Sequence, residues 1–180
     1  GTGAVSSTPP GITCGADCSE VYGHGTAITL TATPAVGSVF SGWSGGCTGL
    51  GSCLTTLTAA TTVTATFTLN SYLLTVAKNG TATGTVSSSP AGIDCGLDCS
   101  ETYLAGSVVT LTAAPGPNAV FAGWSGGGCS GTSLTCNVTI STIATVTATF
   151  NLAVVRLTVV KNGTGAGTVF SPYSPAAPCA

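Results

Sequence analysis

The sequence predicts an all-β chain built of small antiparallel modules in tandem, stapled by disulfides, with incomplete modules at both ends. Three observations lead there. A long pattern recurs along the chain, apolar residues alternate with threonine, and eight of the nine cysteines fall into recurring pairs. Strand-forming Thr and Val abound, while strong helix formers other than Ala and Leu are scarce, so no substantial helix is expected.

The repeat sets the organisation. Gly11-Ile12-Thr13-Cys14-Gly15 returns as Gly92-Ile93-Asp94-Cys95-Gly96, an offset of 92 − 11 = 81, and Gly42-Trp43-Ser44-Gly45 returns as Gly123-Trp124-Ser125-Gly126 at the same offset. Thr62 to Phe67 falls on Thr145 to Phe150, now 145 − 62 = 83 apart, so two residues have entered the cysteine loop between. Loops accept such insertions more readily than strands. "VVRLTVVKNGTGAGTV" (154–169) repeats "SYLLTVAKNGTATGTV" (71–86) and opens a third copy. The predicted units are residues 1–69, a repeat without its first strand; residues 70–152, a complete repeat; and residues 153–180, the start of a third.

Along one complete copy, "SYLLTVAK" (71–78) is the first strand, and Asn79-Gly80 after it predicts a hairpin, because Asn-Gly accepts positive φ at both turn positions. The segment "CGLDCSE" (95–101) follows. "SVVTLTAAP" (107–115) puts Val109, Leu111 and Ala113 on one face with Thr110 and Thr112 on the other, the period of a half-buried strand. Phe121 and Trp124 come next, beside Gly123, which marks a bulge or a close backbone approach. A cysteine loop leads to "TVTATF" (145–150), which alternates in the same way. Five or six short antiparallel strands are expected per copy.

This order of motifs, G-T-V, C-G-x-D-C-S-E-x-Y, V-T-L-T-A-x-P, F-x-G-W-S-G, a Cys loop and T-V-T-A-T-F, resembles the divergent InlB B-type repeats of bacterial surface and secreted proteins. The resemblance spans nearly the whole chain. It implies a small β-rich, β-grasp-like module used in tandem as a stalk, adhesin or spacer. The first copy departs from it by lacking the opening strand, and the third by lacking most of its body.

Composition narrows the function. Charged residues make up 4% of the chain, against about 25% in ordinary globular domains. Lys78, Arg156 and Lys161 are the only basic residues and the net charge is −2, so no phosphate-binding patch exists and nucleic acid is excluded as a partner. No apolar run reaches the roughly 18 residues of a membrane span, so insertion into a membrane is not expected. The chain starts at Gly1, as a processed chain or a fragment of a longer one does. Paired cysteines point to an oxidising compartment, and hence to a secreted or cell-surface location.

The cysteine pairs are Cys14 with Cys18, Cys47 with Cys53, Cys95 with Cys99, and Cys129 with Cys136. Four thiolates per copy suit a tetrahedral zinc site, but the second pair in each copy is spaced more widely than metal-binding pairs usually are. A redox role favours C-x-x-C and a lowered thiol pKa, whereas an acid precedes the second cysteine here. Structural disulfides remain the preferred reading. Local bridges restrain the unfolded chain by about 2 kcal/mol each and a bridge between the two sets by about 4, so energetics leave the connectivity open. Local pairing is favoured because the loop to Cys136 changes length between copies. No metal or cofactor is expected: the acids Asp17, Glu20, Asp94, Asp98 and Glu101 lack a calcium-loop pattern and suit backbone capping.

No catalytic residue is expected either. His24 is the only histidine, and the second copy has Ala105 in its place. Ser44 and Ser125 sit in a literal G-x-S-x-G, but a nucleophile elbow needs a helix after the serine. Trp43 and Trp124, with Phe67 and Phe150, are expected as core anchors, the tryptophans serving alternatively as a sugar-stacking platform. A glycan or host surface is thus a candidate partner, as for an accessory carbohydrate-binding module or a stalk segment of a longer surface protein.

The ends suggest the leading function. The first copy lacks the strand that the third copy carries in surplus as "VVRLTVVK" (154–161). Val154, Val155, Leu157 and Val159 are the candidate donor residues. A donated strand completes the first module of another subunit, head to tail, and such a heterologous contact propagates as a filament. Cys179, the odd cysteine, is the candidate for a bond between subunits.

Overall fold

The computed structural model describes residues 1–169, and among these there are thirteen strands and no helix. The first module holds β1 (Gly3–Thr8), β2 (Thr13–Cys14), β3 (Ala27–Pro34), β4 (Ser38–Gly45), β5 (Cys53–Thr56) and β6 (Val63–Leu69). The second holds β7 (Ser71–Asn79), β8 (Gly84–Ser89), β9 (Ser100–Leu104), β10 (Val108–Pro115), β11 (Ala119–Ser125), β12 (Thr135–Thr139) and β13 (Ala144–Leu152).

Each module packs two small sheets face to face. In the second they run β12-β10-β8 and β11-β13-β7-β9; in the first, β2-β1-β3-β5 and β4-β6. Alternation dictates which side chains meet between the sheets: Val109, Leu111 and Ala113 of β10 and Val146, Ala148 and Phe150 of β13 are buried, while the threonines between them face outward or lie half-buried. Phe121 lies edge-on to Trp124 with ring centroids 4.9 Å apart and leans on Phe150 at 5.4 Å; Phe40, Trp43 and Phe67 repeat the arrangement. The pairing of β11 with β13 slips between Phe121 and Gly123, and that of β4 with β6 between Phe40 and Gly42. Each bulge glycine has a positive φ, and a Cβ on Gly123 would sit 2.9 Å from the Gly131 carbonyl oxygen.

The topology departs from the expectation in three ways. The second module has seven strands rather than five or six, because residues 100–104 also join a sheet. One pairing is parallel: β7 lies beside β13 with Leu74 opposite Ala144 and Val76 opposite Val146. The turn at Asn79-Gly80 does not make a hairpin, since β7 pairs with β13 and β9 while β8 pairs with β10. Asn-Gly specifies a local reversal, and the Gly80 N–H does bond Asn79 Oδ1 at 2.8 Å with Gly80 at φ 104°. Which strands then pair is decided by side-chain burial on both faces, and here the reversal carries the chain from one sheet to the other.

Candidate functional site

The two modules share a sequence pattern yet differ in their cores. Sixteen buried residues form one continuous cluster in the second module, against five in the first. Strand β7 makes the difference. It lies between β13 and β9, and it contributes Leu74 at 0% and Val76 at 3% exposure to the core.

In the first module no strand among the described residues occupies that position. A groove of about 500 Å3 stands there, floored by Val5, Ile28, Leu30 and Trp43 and walled by Ile12, Tyr22, Leu57 and Val63. A second hollow of about 430 Å3 continues it between residues 20–24 and 57–61. Ile12, Tyr22, Leu57, Val63, Ala65 and Phe67 are only half-buried, whereas their counterparts Ile93, Tyr103, Ile140, Val146, Ala148 and Phe150 are buried. Among the described residues, one edge of β6 carries no partner strand. Residues 19–23, the counterpart of β9, are not in a strand, although "SEVYG" and "SETYL" are nearly the same sequence. A strand pairs only where a neighbour offers its backbone.

The groove is nonetheless held open in a defined shape. Tyr22 Oη lies 2.8 Å from Ser7 Oγ, as Tyr103 Oη does from Ser88 Oγ, so the wall stands where it stands in the complete module. Ser7 Oγ also accepts the Ile12 N–H at 2.9 Å. Cys14 is bonded to Cys18 just ahead of this wall and Cys95 to Cys99 in the second module, both pairs with Cα atoms 4.2 Å apart. Cys47 is bonded to Cys53, and Cys129 to Cys136. Each closes a short loop, which restrains the unfolded chain by about 2 kcal/mol. Acids finish the turns: Asp17 Oδ1 accepts the Ser19 N–H at 3.2 Å and Glu20 Oε1 the Val21 N–H at 2.7 Å, with Asp98 and Glu101 doing the same in the second module.

The tryptophans are core residues at 5% exposure each, and each indole N–H is bonded to a backbone carbonyl, Trp43 to Gly51 at 2.6 Å and Trp124 to Ser133 at 2.8 Å. Phe150 is fully buried and Phe67 half-buried at the groove. Ser44 and Ser125 lie within β4 and β11 rather than at a strand-to-helix turn. Residues 153–169 form no strand, and Val154, Val155, Leu157 and Val159 are exposed at 97%, 94%, 87% and 48%. Cys179 lies outside the described residues. Reading the sequence did not single out the wall of Ile12, Tyr22, Leu57 and Val63; the signal was available for Ile12, Tyr22 and Val63, whose counterparts sit in motifs shared between copies, while Leu57 and Ile140 lie outside them.

The sequence profile of the divergent InlB B-repeat domain matches residues 4–71 and matches again over residues 74–154. The chain belongs to the divergent InlB B-repeat domain family. Among curated proteins and among solved structures, none matches it significantly. Two InlB B-repeat domains in tandem, each with local disulfides, fit an extracellular bacterial surface protein.

Proposed function

We propose that this chain is a non-enzymatic structural subunit of an extracellular filament, in which residues 154–161 of one copy fill the groove of the first module of the next. The observation that carries the reading is the match between an unfilled groove and an exposed apolar segment that repeats the sequence of β7. The groove stands where the second module seats Leu74 and Val76, and the offset of 83 puts Leu157 and Val159 at those two steps.

The second module supplies the register. Leu74 to Asn79 pair in parallel with Ala144 to Thr149, and Ser71 to Thr75 pair antiparallel with Leu104 to Ser100. Carried over, Val159 lies beside Val63 on β6, and Val155 opposite Tyr22. The donated strand then satisfies two open backbone edges at once and converts half-buried wall residues into core. Burial of Leu157 and Val159 contributes about 1.5–3 kcal/mol each before the cost of association. Main-chain pairing gives strength, and the spacing of the two apolar residues gives specificity.

Electron microscopy of the full chain beside a version ending at Leu152 tests this. Filaments from the full chain and none from the shortened one are expected. Monodisperse particles from both would overturn strand donation and leave a stalk or adhesin segment in which another strand fills the groove.

A further inference from the structure

The joint between the two modules is a template for the joint between subunits, an inference that rests on the strand-donation reading. One residue, Asn70, separates β6 from β7. Its N–H donates to the Gly37 carbonyl at 2.8 Å, and its carbonyl accepts the Ala105 N–H at 2.8 Å, so Asn70 ties the β3–β4 turn of one module to the β9–β10 turn of the next. Gly37 and Ala105 face each other closely there: a Cβ on Gly37 would lie 3.0 Å from the Ala105 Cβ.

Half of this joint recurs after the second module. The Ala153 N–H donates to the Asn118 carbonyl at 2.8 Å. Ala153 follows Asn70 by 153 − 70 = 83 residues and Asn118 follows Gly37 by 118 − 37 = 81, the offsets of the repeat. The equivalence is conformational as well, since Asn118 is the one non-glycine residue with positive φ, 56°, among the described residues, and Gly37 has φ 76°. Asparagine tolerates that region better than other residues with a side chain. The missing half is the residue equivalent to Ala105, which is His24 of the first module, 105 − 24 = 81 residues earlier. His24 is exposed and borders the hollow that continues the groove.

We propose that the surface around Asn118 and Ala153 receives the turn at His24 of a second copy of this chain, with the His24 N–H donating to the Ala153 carbonyl and the two side chains meeting across the boundary. The pair Gly37 and Ala105 within a chain is thereby replaced by Asn118 and His24 between chains. Small residues let the internal modules approach closely, whereas an amide and an imidazole form a slightly wider, polar contact able to hydrogen-bond. Every module along the filament then follows its predecessor by nearly the same step, whether or not a subunit boundary intervenes.

Cysteine cross-linking tests the joint. With Cys179→Ser as background to remove the odd thiol, His24→Cys and Asn118→Cys in one chain are expected to give a ladder of disulfide-linked oligomers from assembled material, because the Cβ atoms come within reach of a disulfide. Both positions are exposed, and because cysteine suits the φ of 56° at Asn118 less well than asparagine does, thermal unfolding of the doubly substituted chain is recorded beside the cross-linking to show that it folds. Val21→Cys with Arg156→Cys, the counterparts of the paired Thr102 and Leu73, reports the seated strand independently. A ladder from the Val21 and Arg156 pair but none from the His24 and Asn118 pair would overturn the copied joint and leave strand donation standing. Absence of both ladders, or of filaments in the unsubstituted chain, would overturn the two together.

Discussion

A chain with a copy of residues 154–164 placed directly ahead of Gly1 will remain monomeric, and its first module will unfold at a higher temperature. By the repeat offsets, Thr164 stands for Thr81 (164 − 83) and Gly1 for Ala82 (1 + 81), so the added segment joins the module with no residue lacking or in excess. The added Leu and Val then enter the groove from within the same chain, at an effective concentration no second copy can match. Their burial contributes about 1.5–3 kcal/mol each as an upper bound, less the ordering of the strand. Because the site is filled, a second copy finds no edge to pair with. Sedimentation will report the loss of assembly and calorimetry the gain in stability. Persistent filaments would show that the contact lies elsewhere on the molecule.

The second large effect is a difference between two equivalent residues. Phe150→Ala removes a ring that is fully buried, that lies against Phe121 and that leaves no room for a Cβ at Gly84. Its expected cost is about 3–5 kcal/mol. Phe67 makes the same contacts with Phe40 and Gly3 but is half-buried, because no strand among the described residues takes the place that β7 has beside β13. In the unassembled chain, Phe67→Ala is expected to cost roughly half as much, since water already reaches the ring. In the chain with residues 154–164 ahead of Gly1 the two costs converge. Denaturant unfolding of each module, followed by the fluorescence of Trp43 or Trp124 alone, measures both. Equal costs in the unassembled chain would contradict an open first core.

Much of this was legible in the residues. The alternation in Val109-Thr110-Leu111-Thr112-Ala113 names the buried face of β10, since side chains on a strand can only alternate. The cysteines were harder, because loop entropy alone does not choose among pairings; the short turns that place Cys14 beside Cys18 and Cys129 near Cys136 do. The parallel pairing of β7 with β13 could not be read, for it joins residues about 70 positions apart and depends on which edge of β13 is left by β11. Asn79-Gly80 announced a reversal and was silent on its destination. The groove itself was foreshadowed only as a strand without a counterpart. That its walls stay in place without the strand, pinned by Tyr22 on Ser7, needed coordinates.

Hydrogen exchange on assembled and monomeric chains reaches the central claim most directly, because a donated strand protects three segments at once. Strand donation predicts new protection on assembly in residues 19–23, along β6 and in residues 154–161, with the backbone amides of β8, β10 and β12 unchanged. Assembly without protection in residues 154–161, or with protection there but none along β6, would contradict it.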